Sequence, residues 1–230
     1  TLQKALDKGA ADTVTTSMEE AVKDADIVVS AVPVEAMESV FTEMAPFLKS
    51  DAVVTDVGST RQTVIAAARK GLGDKFHQYA PAHPIAGGEM PGVDYASADL
   101  FDEKVVISTP DEGMDPKVVT FIEEAWRKAG ARVQAMSPLQ HDLTFASVSH
   151  LPHVLAYALV DMIAREENAQ EKLKMAGAGF RDFTRIASSS PVMWRDICLS
   201  NREALSHELK RYRASLDTLQ KYIDESDGKA

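Results

Sequence analysis

The chain has 230 residues, 45% of them hydrophobic, and carries a net charge of −10. That length builds one large core or two smaller ones, and the acidic balance argues against broad binding to nucleic acid or to an anionic membrane, so an anion site must be a local basic pocket. The lone Cys198 cannot form an intrachain disulfide and reads as a packed residue; with no signal peptide and no apolar run of about 20 residues expected, the expected location is cytoplasmic.

Residues 1–8 read as helix and 13–15 as a possible short strand. Ser17 with Glu20 three residues later has the spacing of a capping box. Apolar runs at 27–32, 52–56, 76–80, 105–109 and 132–135 then predict five strands. Between them 34–48, 60–72 and 115–129 show helical periodicity, and Asp115-Pro116 supplies a cap and a fixed φ at the start of the third. Strands alternating with helices predict an α/β, Rossmann-like, mostly parallel sheet. No Gly-x-Gly-x-x-Gly occurs. The chain reads as entering such a sheet after its second strand, with a glycine-rich segment of roughly 30 to 40 residues expected ahead of it.

At Ser137-Pro138-Leu139-Gln140 a second capping box with proline at the first helical position opens an all-helical remainder. The predicted division is 1–137, a partial dinucleotide-binding domain, and 138–230, a helical substrate-binding and dimerisation domain. Pro152 lies inside the first of these helices and should kink it. Leu205, Leu209, Tyr212, Leu216, Leu219 and Ile223 step by four and three along the last helix, a stripe that fits either an intramolecular core or an intersubunit seam. The tail from Asp224 reads as frayed.

Ligands of open parallel sheets bind beyond the carboxyl ends of the strands. Two predicted strand exits are small and polar there: Ser30-Ala31-Val32-Pro33, and Asp56-Val57-Gly58-Ser59-Thr60. Each suits either a cofactor or an ordinary strand exit and helix cap. His83 opens a glycine-containing loop, His83 to Gly92, where an imidazole is placed to take a proton from an alcohol or simply to face solvent. In the helical part Asp142, Ser149 and His153 fall on one face of an unbroken helix. The trio His141, His150 and His153 lacks a metal-site spacing, so no metal is expected. Arg181 and Arg185 stand one turn apart with Asp182 between them, fitting a carboxylate clamp or a structural salt bridge.

Four ordered blocks, Asp56-Val57-Gly58-Ser59, His83-Pro84-Ile85-Ala86-Gly87 with Glu89 and Gly92, Ser149-His150-Leu151-Pro152-His153, and Gly179-Phe180-Arg181-Asp182-Phe183-Thr184-Arg185 followed by Trp194, resemble the prephenate and arogenate dehydrogenases of tyrosine biosynthesis. The resemblance spans the whole chain. It implies a homodimer that oxidatively decarboxylates prephenate with hydride transfer to NAD, or to NADP, and without a metal. By the same resemblance His83 accepts the ring-hydroxyl proton and Ser59 bridges it to the nicotinamide. Ala31, Val32, Pro33, Gly58 and Ser59 would touch the cofactor, and Arg185, His153, Ser149, Asp182, Trp194 and Glu89 the substrate. Ala178 stands where relatives often carry a third glycine. Arogenate is the alternative substrate. Another nicotinamide-dependent hydroxy-acid dehydrogenase, a non-enzymatic carboxylate-binding module and a purely structural helical protein are the rival classes.

Overall fold

The computed structural model describes residues 2–88 and 92–228. Two compact units emerge: Thr1–His141 with Ser189–Ser200, and Asp142–Ser188 with Asn201–Ala230.

In the first unit α1 (Leu2–Asp7) and α2 (Met18–Val22) precede β1 (Ile27–Ser30), α3 (Met37–Met44), β2 (Val53–Asp56), α4 (Arg61–Leu72), β3 (Tyr79–Ala80) and β4 (Ala82–Pro84). Then come β5 (Val105–Ser108), α5 (Pro116–Lys128) and β6 (Arg132–Ala135). β1, β2 and β3 pair in parallel in that order. In a second three-stranded sheet β5 is parallel to β6 and antiparallel to β4. The core lies where Met37, Phe41 and Met44 of α3 meet Val64, Ile65, Ala68 and Leu72 of α4 over Val54 and Tyr79. Gly71 explains itself here: a Cβ on it would lie 2.6 Å from that of Phe41, so the helix accepts a residue that costs about 1 kcal/mol relative to alanine to let α3 approach.

The predicted strands are present, with differences of physical interest. Residues 73–78 wind into a tight helical turn, leaving only Tyr79 and Ala80 of the strand expected from 76. Residues 34–48 are helical only over α3, flanked by tight turns at Val34–Ala36 and Ala45–Phe47, the latter containing Pro46. No strand forms at 13–15. The Thr15 hydroxyl instead bonds the Glu20 carboxylate at 2.6 Å, while Ser17 Oγ accepts from the Glu20 amide at 3.3 Å, so the capping box is half closed. Asp115 and Ser137 cap as expected, accepting from the amides of Lys117 at 2.8 Å and Gln140 at 3.1 Å. His83, expected at the head of a loop, sits on β4, an antiparallel strand too short for its alternation to be read.

The second helical part begins with α6 (Pro138–Phe145) and continues through a π-helical turn, Ala146–His150, into α7 (Leu151–Ala164). α8 (Ala169–Lys174), α9 (Ala178–Thr184), α10 (Pro191–Ser200) and α11 (Arg202–Asp224) follow, and α10 belongs to the first unit. The kink expected at Pro152 takes the form of that π turn, which widens the helix just ahead of the residue that has no N–H to give. Contrary to the expectation of no such apolar run, Pro138–Ala164 is by length and composition long and apolar enough to cross a membrane, with His141, Asp142, His150 and His153 set among its apolar residues. Inside the second unit Asn201 Nδ2 lies 2.8 Å from the Asp142 carbonyl and 3.2 Å from His150 Nδ1. The leucine stripe of α11 divides: Leu205 is buried, whereas Leu216, Leu219 and Ile223 are exposed, Ile223 by 72%.

Candidate active site

The first cluster grows from the carboxyl ends of β1 and β2. Val57 N–H donates to the Ser30 carbonyl at 3.3 Å, next to the last register pair, Ser30 with Asp56. Ala31 and Pro33 are exposed, Val32 and Ser59 half-buried, and Gly58 buried. The turn is held from beneath. Asp56 Oδ1 accepts from the Gly58 amide at 2.7 Å, and both Asp56 oxygens accept from Arg61, Nη1 at 2.7 Å and Nη2 at 2.8 Å. Arg61 also reaches the Gly58 carbonyl at 2.8 Å and Thr109 Oγ1 at 3.2 Å, and the Tyr79 hydroxyl bonds Asp56. A Cβ on Gly58 would sit 2.9 Å from Asp56 Oδ1, so only glycine fits over this pair.

Both charges are fully buried. Burial alone would push the Arg61 guanidinium down, but the Asp56 carboxylate outweighs it and holds it above its ordinary value. Burial first, and then the same carboxylate, push the Tyr79 hydroxyl well up. Arg61 escaped the sequence reading. Its signal was available: a carboxylate at a strand end with an arginine in the first turn of the next helix, at Asp56 and Arg61.

His83 lies on β4 opposite Ile107, half-buried. Its Nδ1 is 2.8 Å from Nε2 of His141, and the rings meet edge to face with centroids 5.0 Å apart. His141 is fully buried at the start of α6. The three histidines of the helical part therefore have separate surroundings: His141 meets His83, His150 meets Asn201, and His153 Nδ1 lies 2.9 Å from the Ser149 carbonyl. Among the described residues no three His, Cys, Asp or Glu side chains gather as metal ligands would.

The second cluster belongs to the helical unit. Ser149 meets His153 through its carbonyl. Burial lowers the pKa of His153; the Ser149 carbonyl opposes this and the nearby charge of Arg185, in the turn Arg185–Ser188 after α9, adds to it. His153 is thus neutral at neutral pH, and Arg185 is brought within electrostatic reach of it. Asp182 and Arg181 are exposed on α9, where Arg181 Nε donates to the Ala176 carbonyl at 3.2 Å. Trp194 is buried on α10, which belongs to the first unit. Glu89 lies outside the described residues. Cys198, half-buried, has its thiol pKa raised by burial.

Residues 1–135 match the family model described as prephenate dehydrogenase, nucleotide-binding domain, and residues 137–230 the one described as prephenate dehydrogenase, dimerization domain. A cyclohexadienyl dehydrogenase of Zymomonas mobilis is 39% identical over 227 residues, covering 98% of this chain and 76% of that protein. A prephenate dehydrogenase of Bacillus subtilis is 35% identical over 225 residues, 97% of this chain and 60% of that one. Among solved structures, the Aquifex aeolicus prephenate dehydrogenase in complex with hydroxyphenyl propionate and NAD+ superposes with a TM-score of 0.91 at 36% identity, covering 99% of this chain and 79% of that one. The Synechocystis arogenate dehydrogenase superposes with a TM-score of 0.79 at 26% identity, over 99% of this chain and 81% of that one. With both halves of the chain matched in order and the relatives covering nearly all of it, the protein belongs to the prephenate dehydrogenase family.

Proposed function

We propose that the protein converts prephenate to 4-hydroxyphenylpyruvate and carbon dioxide, reducing NAD, as a homodimer in the cytoplasm. The observation that carries the reading is the half-buried His83, fixed on β4 against a buried histidine, in a chain whose two halves match the two domains of this family in order. Support for substrate and cofactor comes from the Aquifex aeolicus relative, solved with hydroxyphenyl propionate and NAD+. In this reading 1–137 binds the dinucleotide, and 138–230 binds substrate and dimerises.

The residues beyond β1 and β2 fit the nicotinamide end of a dinucleotide. They are small, two of them are exposed, and the buried Asp56–Arg61 pair holds the backbone of the second turn still. Ala31, Val32, Pro33, Gly58 and Ser59 would hold it there. NAD, when bound, takes the hydride from the hydroxyl-bearing ring carbon. His83 accepts the hydroxyl proton as that hydride leaves, loss of the ring carboxylate as carbon dioxide then gives the aromatic ring as a phenolate, and the proton on His83 returns to that oxygen. General-base help of this kind contributes about 10² to 10⁴ in rate. Ser59 orients His83 and the nicotinamide. Arg185 grips a substrate carboxylate, and neutral His153 contributes a hydrogen bond beside it without a second positive charge. Ser149, Asp182, Trp194 and Glu89 complete the substrate contacts. The exposed end of the α11 stripe supplies apolar surface for a second copy.

Arogenate is the second reading, favoured by the match to the Synechocystis arogenate dehydrogenase. The purified enzyme is offered prephenate or arogenate with NAD or NADP while the near-ultraviolet absorbance of reduced nicotinamide is followed. The fastest rise is expected for prephenate with NAD. A faster rise with arogenate would move the assignment to that substrate. No rise with any pair, from folded protein that binds NAD, would end the tyrosine-pathway reading.

A further inference from the structure

We infer that His141 is a positioning residue for His83: its Nε2 accepts the Nδ1–H of His83, so that His83 turns an unprotonated Nε2 toward the substrate hydroxyl. The inference rests on the reading of His83 as the base.

The two nitrogens are 2.8 Å apart, a separation at which they share a single proton. A neutral imidazole carries its proton on one nitrogen or the other, and the partner of the first nitrogen decides which. Were His141 the donor, His83 would hold its proton on Nε2 and could take none from an alcohol there. Only donation from His83 to His141 leaves Nε2 of His83 basic. That same bond survives proton uptake, because the imidazolium keeps its Nδ1–H.

The burial of the pair sorts the roles. His141 is fully buried while His83 is half-buried, so His83 is the member open to a ligand. His141 is also anchored at its backbone: its N–H donates to the Ser137 carbonyl at 2.9 Å, and Ser137 Oγ caps the Gln140 amide at 3.1 Å, at the first turn of α6. His83 is tied by the β4–β5 register to Ile107. Two fixed backbones thus present two rings edge to face, and the contact between them bears on which nitrogen of the base carries the proton. The arrangement is that of an imidazole oriented by an acceptor behind it, with a neutral ring in place of the usual carboxylate. A carboxylate there would raise the affinity of His83 for protons and favour the imidazolium at neutral pH; a neutral acceptor fixes the tautomer without doing so.

Two measurements test this together. Two-bond proton–nitrogen spectra of protein with ¹⁵N-labelled histidine should show His83 protonated on Nδ1 and bare on Nε2 at neutral pH; the reverse tautomer overturns the inference without any variant having to fold. Steady-state kinetics then compare His141→Phe, which fills the volume without an acceptor, with His141→Gln, whose amide oxygen reaches the place of Nε2. The phenylalanine variant should lose roughly 10² to 10³ in kcat with KM within about threefold, and glutamine should recover at least about tenfold of that. Equal losses in the two variants, or no loss in His141→Phe, overturn it. His83→Asn is the control. If that variant keeps full turnover, the reading of His83 as base falls and takes this inference with it; if it is crippled while His141→Phe is not, this inference alone falls.

Discussion

Arg61 grips Asp56 with both terminal nitrogens, at 2.7 and 2.8 Å, and neither side chain is reached by solvent. The pair closes the turn between β2 and α4 and so fixes the backbone on which Gly58 and Ser59 are presented. Removing one partner of such a pair strands the other charge in a dry interior, which costs about 3 to 5 kcal/mol. Arg61→Met should destabilise the protein by that amount in urea unfolding, and Arg61→Lys, which cannot span both oxygens, by less. A loss below about 1 kcal/mol for Arg61→Met would show that the pair does not hold the turn.

Gly58→Ala tests the same turn from above. The added methyl meets Asp56 Oδ1 at 2.9 Å, Val64 Cγ2 at 3.1 Å and Arg61 Nη1 at 3.2 Å, so backbone or ion pair must move. The expected cost is about 1 to 3 kcal/mol of stability, together with weaker NAD binding measured by titration calorimetry. Unchanged affinity for NAD would remove Gly58 from the cofactor site.

Arg185→Leu should raise KM for prephenate by about 10- to 100-fold with kcat within about threefold, since a charge-assisted hydrogen bond to a bound carboxylate is worth about 1.5 to 3 kcal/mol. A loss confined to kcat would instead place Arg185 in the chemical step.

His153 gives a pH prediction with a definite sign. Its pKa is lowered in the folded protein, chiefly by burial. The unfolded chain therefore binds the proton more readily, and the stability due to neutral His153 is present above the ordinary histidine pKa of about 6.5 and lost as pH falls from there toward the folded value. His153→Asn, which keeps a donor for the Ser149 carbonyl but does not titrate, should lose less stability than the wild type between pH 7 and pH 5 in urea titrations. A steeper loss in the variant would contradict the lowered pKa.

The exposed end of α11 makes the prediction for assembly. If the proposed homodimer forms through this face, Leu219→Asp with Ile223→Asp should leave a monomer by light scattering on a sizing column, because both positions are exposed in the single chain. A dimer that survives both changes would place the seam elsewhere.

The strands and helices of the first unit were legible because their apolar periodicity and caps are local, as the Asp115 cap shows. β4 was not, since three residues ending in proline carry no alternation, and its pairing with β5 is a long-range event. As residue types, the residues proposed for the site, His83, Ser59, His153 and Arg185, can be picked out of the sequence. The supports of that site cannot. Arg61 reads as an ordinary residue near a helix start, and His141 was grouped with His150 and His153, whereas the fold turns its ring to His83, 58 positions away in the chain.

The role of His83 stands or falls with the turnover of His83→Asn on prephenate and NAD, measured alongside the binding of prephenate to the same variant. As a general base, His83 should when replaced lower kcat by about 10² to 10⁴ with prephenate affinity within about threefold of wild type. Wild-type kcat in a folded His83→Asn enzyme would contradict it.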